Sequence, residues 1–209
     1  ATLSQPGLIA EACSFGGSNS YLRSISSDII PQSSGGTMSA WIKTTNSSSG
    51  TYIVSVEGAW VLQWQAGGIL AFLDGSSSGN GTFGSGLNND AWHHVLAAND
   101  GTTTRLYLDG ALAGNYAEAI YNLGSLSRTI GVGANYDGAG NFFTGSIDDV
   151  CLWARSLSVA EAYYVYTNGL AGRTVEKETT LTRVGFESAE GFTGYVSPNF
   201  AALGTKTDS

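Results

Sequence analysis

Between Ala91 and Gly169 the chain sets out strands, turns and one helix in a fixed order, and that order restricts the fold more than any other stretch. The run begins AWHHVLAANDGTTTRLYLDG, passes through IGVGANYDGAG and ends FFTGSIDDVCLWARSLSVAEAYYVYTNG. Trp92–Ala98 reads as a strand, Asn99-Asp100-Gly101 turns it, and Thr103–Leu108 returns. Asp109-Gly110 then supplies a two-residue hairpin turn, because a type I′ turn needs positive φ at both central residues. Ala111–Ala113 runs back, and Arg128–Val132 and Phe142–Trp153 are further strands. One helix is specified near Ser158–Asn168. Ser158 followed by Glu161 forms a capping box, in which each side chain satisfies a backbone amide of the first turn. Ala160, Tyr163, Tyr164 and Tyr166 supply its apolar face, and Asn168-Gly169 suits a left-handed C-terminal cap. Short strands at close spacing with one helix predict an all-β, two-sheet antiparallel sandwich.

The rest of the chain agrees. Twenty-nine glycines against three prolines indicate many turns, and 209 residues suffice for one large β domain with a sizeable core. Cys13–Leu22 alternates around a Gly-Gly turn, and Thr37–Thr44 is a strand centred on Trp41. Strands follow at Tyr52–Glu57, Trp60–Gln65 and Ile69–Leu73. Asp74–Gly86 is a Gly/Ser/Asn-rich stretch, long for a hairpin loop and so a candidate functional segment. Residues 1–172 read as the domain and 173–182 as a charged linker. Residues 183–209 read as a strand-like tail whose Phe186, Phe192, Tyr195 and Phe200 call for burial.

Charge excludes some function classes. Nine Lys plus Arg against seventeen Asp plus Glu give a net charge of −8, which leaves no basic stripe for nucleic acid or for an anionic membrane surface. No apolar run approaches the roughly 20 residues that cross a bilayer, so no membrane insertion is expected. The Ser/Thr/Asn/Gly-rich composition with few lysines points to a secreted, extracellular setting.

Four pieces taken in order carry a resemblance: TLSQPGLIAEACSFGGSNSYL, TMSAWIKT, AWHHVLAANDGTTTRLYLDGALAG and GSIDDVCLWARSLSVAEAYYVYTNG. Together they resemble the bacterial laminin-G-like, concanavalin A-like jelly-roll domain family over roughly 1–172. The resemblance implies a jelly roll and a non-catalytic extracellular binding or adhesion module that recognises a glycan or another cell-surface polymer. The alternative it leaves open is a structural subunit of a surface array or filament, copies joining head to tail by strand exchange through the tail. Two departures stand out. Gly16 occupies a position that is usually aspartate, and the usual first strand is missing ahead of the QPG segment, while RVGFESAEGF near the end resembles that strand. The tail therefore completes this domain, completes another subunit, or begins a following domain.

Candidate sites follow from residue type. Trp60 and Trp64 are four apart, so they share one side of a strand and form a candidate stacking pair for a sugar, with core packing as the competing role. Asn135, Tyr136 and Asp137 sit in a glycine-bounded loop. They combine a ring with hydrogen-bonding groups, or else serve as plain turn residues. Asp148 is, by the resemblance, a candidate ligand for a structural Ca²⁺, or a cap for nearby loop amides. Cys13 and Cys151 form either one disulfide or two buried thiols. Nothing matches the paired carboxylates of a glycosidase or a GxSxG elbow, and the adjacent His93 and His94 face opposite ways, so no catalytic residues are assigned.

Overall fold

The computed structural model describes residues 2–9, 11–24, 28–29, 35–58, 60–72, 82–117, 119–120, 127–173, 182–184 and 200–201. The first strands are β1 (Thr2–Pro6), β2 (Glu11–Gly16), β3 (Leu22–Ser24), β4 (Asp28–Ile29), β5 (Gly36–Lys43), β6 (Ser49–Val56), β7 (Val61–Gln65) and β8 (Gly68–Phe72). They are followed by β9 (His93–Asn99), β10 (Thr103–Leu108), β11 (Ala111–Ala117), β12 (Ser127–Arg128), β13 (Ile130–Val132) and β14 (Thr144–Trp153). Helix α1 (Val159–Leu170) comes next, and then β15 (Thr182–Val184) and β16 (Phe200–Ala201).

The strands build the expected antiparallel sandwich. The larger sheet has the order β1-β2-β14-β5-β9-β10-β11, with β15 also on β14. The facing sheet has the order β16-β3-β13-β6-β7-β8, and β12 and β4 pair separately. From the tail, Val184 lies opposite Val150, and Phe200 opposite Ser24. Phe186, Phe192 and Tyr195 lie outside the described residues, as do Leu73 and residues 74–81 of the long loop.

Two apolar clusters explain why several strands read as unbroken hydrophobic runs. Met38, Ile42, Val95, Leu106 and Ile147 of the large sheet meet Leu22, Val54, Leu62, Trp64 and Ile69 of the facing sheet. On the other side of the large sheet, Leu96, Tyr107, Cys151 and Trp153 pack with Leu157 and with Ala162 and Val165 of α1. Neighbours such as Val95 and Leu96 thus serve opposite faces, and a strand buried on both faces shows no polar alternation. The same geometry settles the cysteines. Cys13 faces the inter-sheet cluster and Cys151 the helix cluster, so the sheet itself separates them. No disulfide joins them. Both are buried thiols, and burial pushes the Cys13 thiol up to about 12.

The helix starts where its sequence requires. Ser158 caps it and receives the Glu161 N–H, and the Glu161 carboxylate accepts the Ser158 N–H at 2.9 Å and an Arg155 N–H at 2.6 Å. Its end lies later than expected. Gly172, at φ +66, is the left-handed residue; its N–H reaches the Gly169 carbonyl, and the Arg173 N–H reaches that of Asn168. This is a Schellman closure, one turn beyond Asn168-Gly169. Gly169 serves packing instead. A Cβ there would stand 2.3 Å from Trp41 Nε1, so its absence lets α1 lie on the indole. The buried stripe is Ala162, Val165 and Gly169, at helical spacing. Tyr163 and Tyr164, expected on the apolar face, are 57% and 60% exposed. Ser158→Ala should cost about 1 kcal/mol, the usual loss for a capping hydroxyl, read as a lower urea midpoint at unchanged slope. An unchanged midpoint would remove the cap from the stability account.

Candidate functional site

The outer face of the six-stranded sheet carries a group of polar side chains, of which Tyr52 and Gln65 are half-buried and Gln63 and Ser55 buried. Register fixes which residues lie on it. Leu22, Val132, Val54, Leu62 and Ala71 are cross-strand neighbours and all belong to the inter-sheet core. Residues one step along must face the other way. One outer row runs Arg23, Gly131, Ser55, Val61 across β3, β13, β6 and β7. The next places Tyr52 beside Gln63. Gln65, two residues on, donates from Nε2 to Gln63 Oε1 at 2.7 Å, which fixes the orientation of both amides. Arg23 Nε is buried with no hydrogen-bond partner among the described residues.

A loop, residues 134–141, borders this face. A Cβ on Gly131 would stand 2.8 Å from Tyr136 Cα and from Ser55 Oγ, so the glycine lets the loop settle onto the sheet. Ser55 Oγ donates to the Ala134 carbonyl at 3.0 Å, and Asn141 Nδ2 to that of Gly50 at 2.7 Å. The Tyr52 N–H donates to the Asn141 carbonyl at 2.8 Å. Gly138, at φ +70, lies against the Tyr21 ring. The result is a pinned loop that sets Tyr136, half-buried, at the margin of the Tyr52–Gln63–Gln65 patch. Its neighbours are turn residues. Asn135 Oδ1 accepts the Tyr136 N–H at 3.0 Å, and Asp137 Oδ1 accepts the Ala139 N–H at 2.8 Å. Of the three sequence candidates in this loop, Tyr136 alone adjoins the face without a turn role of its own.

Burial corrects the tryptophan pair. Trp60 and Trp64 are 1% and 0% exposed in the inter-sheet core, where no ring face is left for a sugar. Trp60 lies flat on Gly36, whose Cβ would stand 2.0 Å from its Cη2. Trp64 meets Phe143 edge-on at 6.3 Å. Asp148 is a turn cap. Its Oδ2 accepts the Leu8 and Ile9 N–H groups at 3.0 and 2.9 Å, and its Oδ1 the Asp149 N–H at 2.8 Å. Three backbone N–H groups thus take up most of the acceptor capacity of this carboxylate. Burial, with the Asp149 carboxylate adding, pushes Asp148 up to about 7 against the pull of these N–H bonds. Among the described residues no group of three or more His, Cys, Asp or Glu gathers to hold a metal.

The adjacent histidines do face opposite ways. His93 contacts Asp109 Oδ2 at 2.8 Å and Asn89 Oδ1 at 3.1 Å near the surface. His94 is buried against Trp41 at 5.1 Å between ring centres. The sequence reading missed Tyr52, Gln63 and Gln65. The signal was present in VLQWQ: with Leu62 and Trp64 in the inter-sheet core, Gln63 and Gln65 lie on the opposite side of β7, where Gln65 is half-buried and Gln63 is 8% exposed.

A laminin-G-type family model, described as the concanavalin A-like lectin/glucanases superfamily, matches residues 15–162. The chain belongs to this superfamily. Solved structures share its fold at low identity. A proposed carbohydrate-binding protein from Bacteroides ovatus ATCC 8483 is 15% identical with a TM-score of 0.66, over 89% of this chain and 54% of its own. This chain thus spans about half the length of that protein. A heptameric SAP-like pentraxin from Limulus polyphemus is 17% identical with a TM-score of 0.61, over 87% and 94%. Domain 4 of AbnA, an extracellular GH43 arabinanase from Geobacillus stearothermophilus, solved with arabinotriose, is 14% identical with a TM-score of 0.58, over 79% and 82%. No curated protein matches the chain. Within the concanavalin A-like superfamily, then, this chain combines a two-sheet body with an amide-and-tyrosine patch on the outer face of its smaller sheet.

Proposed function

We propose that this chain is a non-catalytic glycan-binding module that takes a short oligosaccharide on the outer face of its six-stranded sheet. The observation that carries the reading is the Tyr52–Gln63–Gln65 patch with Tyr136 at its margin. Fixed amides supply paired donors and acceptors for vicinal hydroxyls, and tyrosine rings supply apolar faces for sugar C–H groups. From β13 to β7 is two strand spacings, about 10 Å, which suits one or two sugar rings. Catalysis is left out of the proposal because glycoside cleavage takes two carboxylates converging on one bond. Glu57, at the end of β6, instead spends Oε2 on the Thr129 N–H at 3.1 Å. An extracellular setting belongs to the same reading, supported by the low-lysine, Ser/Thr/Asn/Gly-rich composition.

The test is a screen of oligosaccharides by array, followed by calorimetry on the hits. Gln65→Ala and Tyr136→Ala should each weaken binding by about tenfold or more, on the order of 1–3 kcal/mol, with the melting temperature nearly unchanged and the sugar recovered intact. Binding unaffected by both substitutions would move the site elsewhere. Released shorter sugars would make the protein an enzyme.

A further inference from the structure

The outer face of the six-stranded sheet continues past the loop of residues 134–141 onto β3. Leu22 lies in the inter-sheet core, so Tyr21 and Arg23, one step to either side, face outward together. Tyr21 packs against the loop. A Cβ on Gly138 would stand 2.3 Å from its Cζ, and its ring centre is 6.3 Å from that of Phe142. Arg23 is paired with Gly131, the residue on which the Tyr136 backbone rests, and with Ala201 on its other side. Neither cross-strand neighbour brings a counter-charge.

Arg23 differs from the other cations among the described residues. Lys43 pairs with Asp90 at 3.7 Å, Arg105 with Asp100 at 2.7 Å and Arg155 with Glu161 at 2.6 Å. Arg128 Nη1 donates to the Glu57 carbonyl at 2.9 Å, and Arg173 is exposed beyond the end of α1. Arg23 is half-buried and its Nε is enclosed with no hydrogen-bond partner. No hydrogen bond or ion pair among the described residues engages its two Nη groups. Asp137, the carboxylate of the adjoining loop, caps its own turn by accepting the Ala139 N–H at 2.8 Å. A partly desolvated cation gains from an anionic partner. This chain has seventeen Asp plus Glu against nine Lys plus Arg, and its described residues supply none here.

We propose that Arg23 holds the carboxylate of an acidic sugar, so that the glycan taken by this face carries a uronic or sialic acid residue. The proposal rests on the glycan reading above and narrows its ligand class. The two Nη groups present a planar fork that matches a planar carboxylate. Tyr21 lies two residues along the strand, roughly 7 Å away, which is the reach of one sugar ring. Net charge narrows the class further. A protein at −8 repels a densely charged polyanion at long range, whereas one arginine answers one negative charge at contact. An isolated carboxylate on an otherwise neutral oligosaccharide satisfies both conditions.

An array carrying uronic acid and sialic acid oligosaccharides beside the methyl esters of the same sugars tests the assignment, with calorimetry of the full chain on the hits. An ester keeps the shape of its sugar and loses the charge. The acid should bind about tenfold or more tighter than its ester, and the class that does so identifies the source of the carboxylate. Arg23→Gln should abolish that difference while affinity for the ester stays nearly the same. Gln65→Ala should weaken acid and ester alike. Arg23→Met keeps the packed stem without the charge, and it decides alone if Arg23→Gln lowers the melting temperature. Esters that bind as well as their acids, or an acid preference that survives the loss of the Arg23 charge, overturn the proposal and leave the glycan reading standing. Dextran sulfate bound in preference to every carboxylate overturns it as well. An array without hits of any kind removes both readings.

Discussion

Trp60→Ala should destabilise the domain by about 3–5 kcal/mol, the cost of truncating a buried indole. For a chain of this size that lowers the melting temperature by roughly 10 °C or more. The reason is geometric. The ring lies on bare backbone at Gly36 and is almost fully enclosed, so no side chain can swing in to refill its volume. The outcome separates two roles that the residue type leaves open. A sugar-stacking tryptophan leaves stability nearly unchanged when truncated and abolishes binding in a protein that still melts normally. A core tryptophan lowers the melting temperature and affects binding only through the folded fraction. Calorimetric scanning of the variant, alone and with a bound oligosaccharide, reads both. An unchanged melting temperature would return Trp60 to the candidate site.

The contrast between Trp60 and Gln63 shows how far the sequence reaches. Period-two alternation places Leu62 and Trp64 on one side of β7 and Gln63 and Gln65 on the other. It does not say which side is the inter-sheet core. The aromatic pair draws attention as a binding platform, yet large rings gain more from burial than amides do, and the amides tolerate the outer face. Local rules succeeded where the chain answers to itself. The Asp109-Gly110 turn has φ of +47 and +77, as a type I′ hairpin requires, and the Ser158–Glu161 box caps α1 as read. They failed where a distant segment decides. Gly131 reads as an interior strand glycine, and the loop around Tyr136 that it admits belongs to tertiary structure. Asp148 looks like an available carboxylate until the Leu8 and Ile9 amides, some 140 residues away in sequence, close on it.

Acid should destabilise this domain through His94, and replacing His94 should expose the effect. The imidazole is fully enclosed beneath α1, with Trp41 at 5.1 Å and Tyr166 at 6.1 Å between ring centres. Its Nδ1 has no hydrogen-bond partner among the described residues. Burial lowers its pKa from 6.5 to about 4, against a smaller upward pull from the Asp109 carboxylate. The unfolded chain therefore takes up a proton near pH 6.5 that the folded chain refuses until about pH 4. Above pH 6.5 both states hold a neutral ring and the group costs nothing. Between pH 6.5 and 4 the unfolded state gains, and stability falls by about 3 kcal/mol in total. Asp148 works in the opposite sense. Its folded pKa is raised to about 7, so the folded state binds its proton first as pH falls. The two slopes offset each other in the unmodified protein, and a single acid titration would hide both. His94→Phe separates them, because phenylalanine keeps an aromatic ring against Trp41 and Tyr166 and removes the titrating nitrogens. The stability difference between the variant and the unmodified protein, measured by urea unfolding at a series of pH values, should be flat above pH 7. It should then move by about 3 kcal/mol in favour of the variant by pH 4. Asp148→Asn should leave the acid loss due to His94 unopposed, giving a protein that weakens steadily from pH 6.5 downward. A difference between His94→Phe and the unmodified protein that stays constant from pH 7 to pH 4 would show that the buried ring is not excluded from protonation in the folded state.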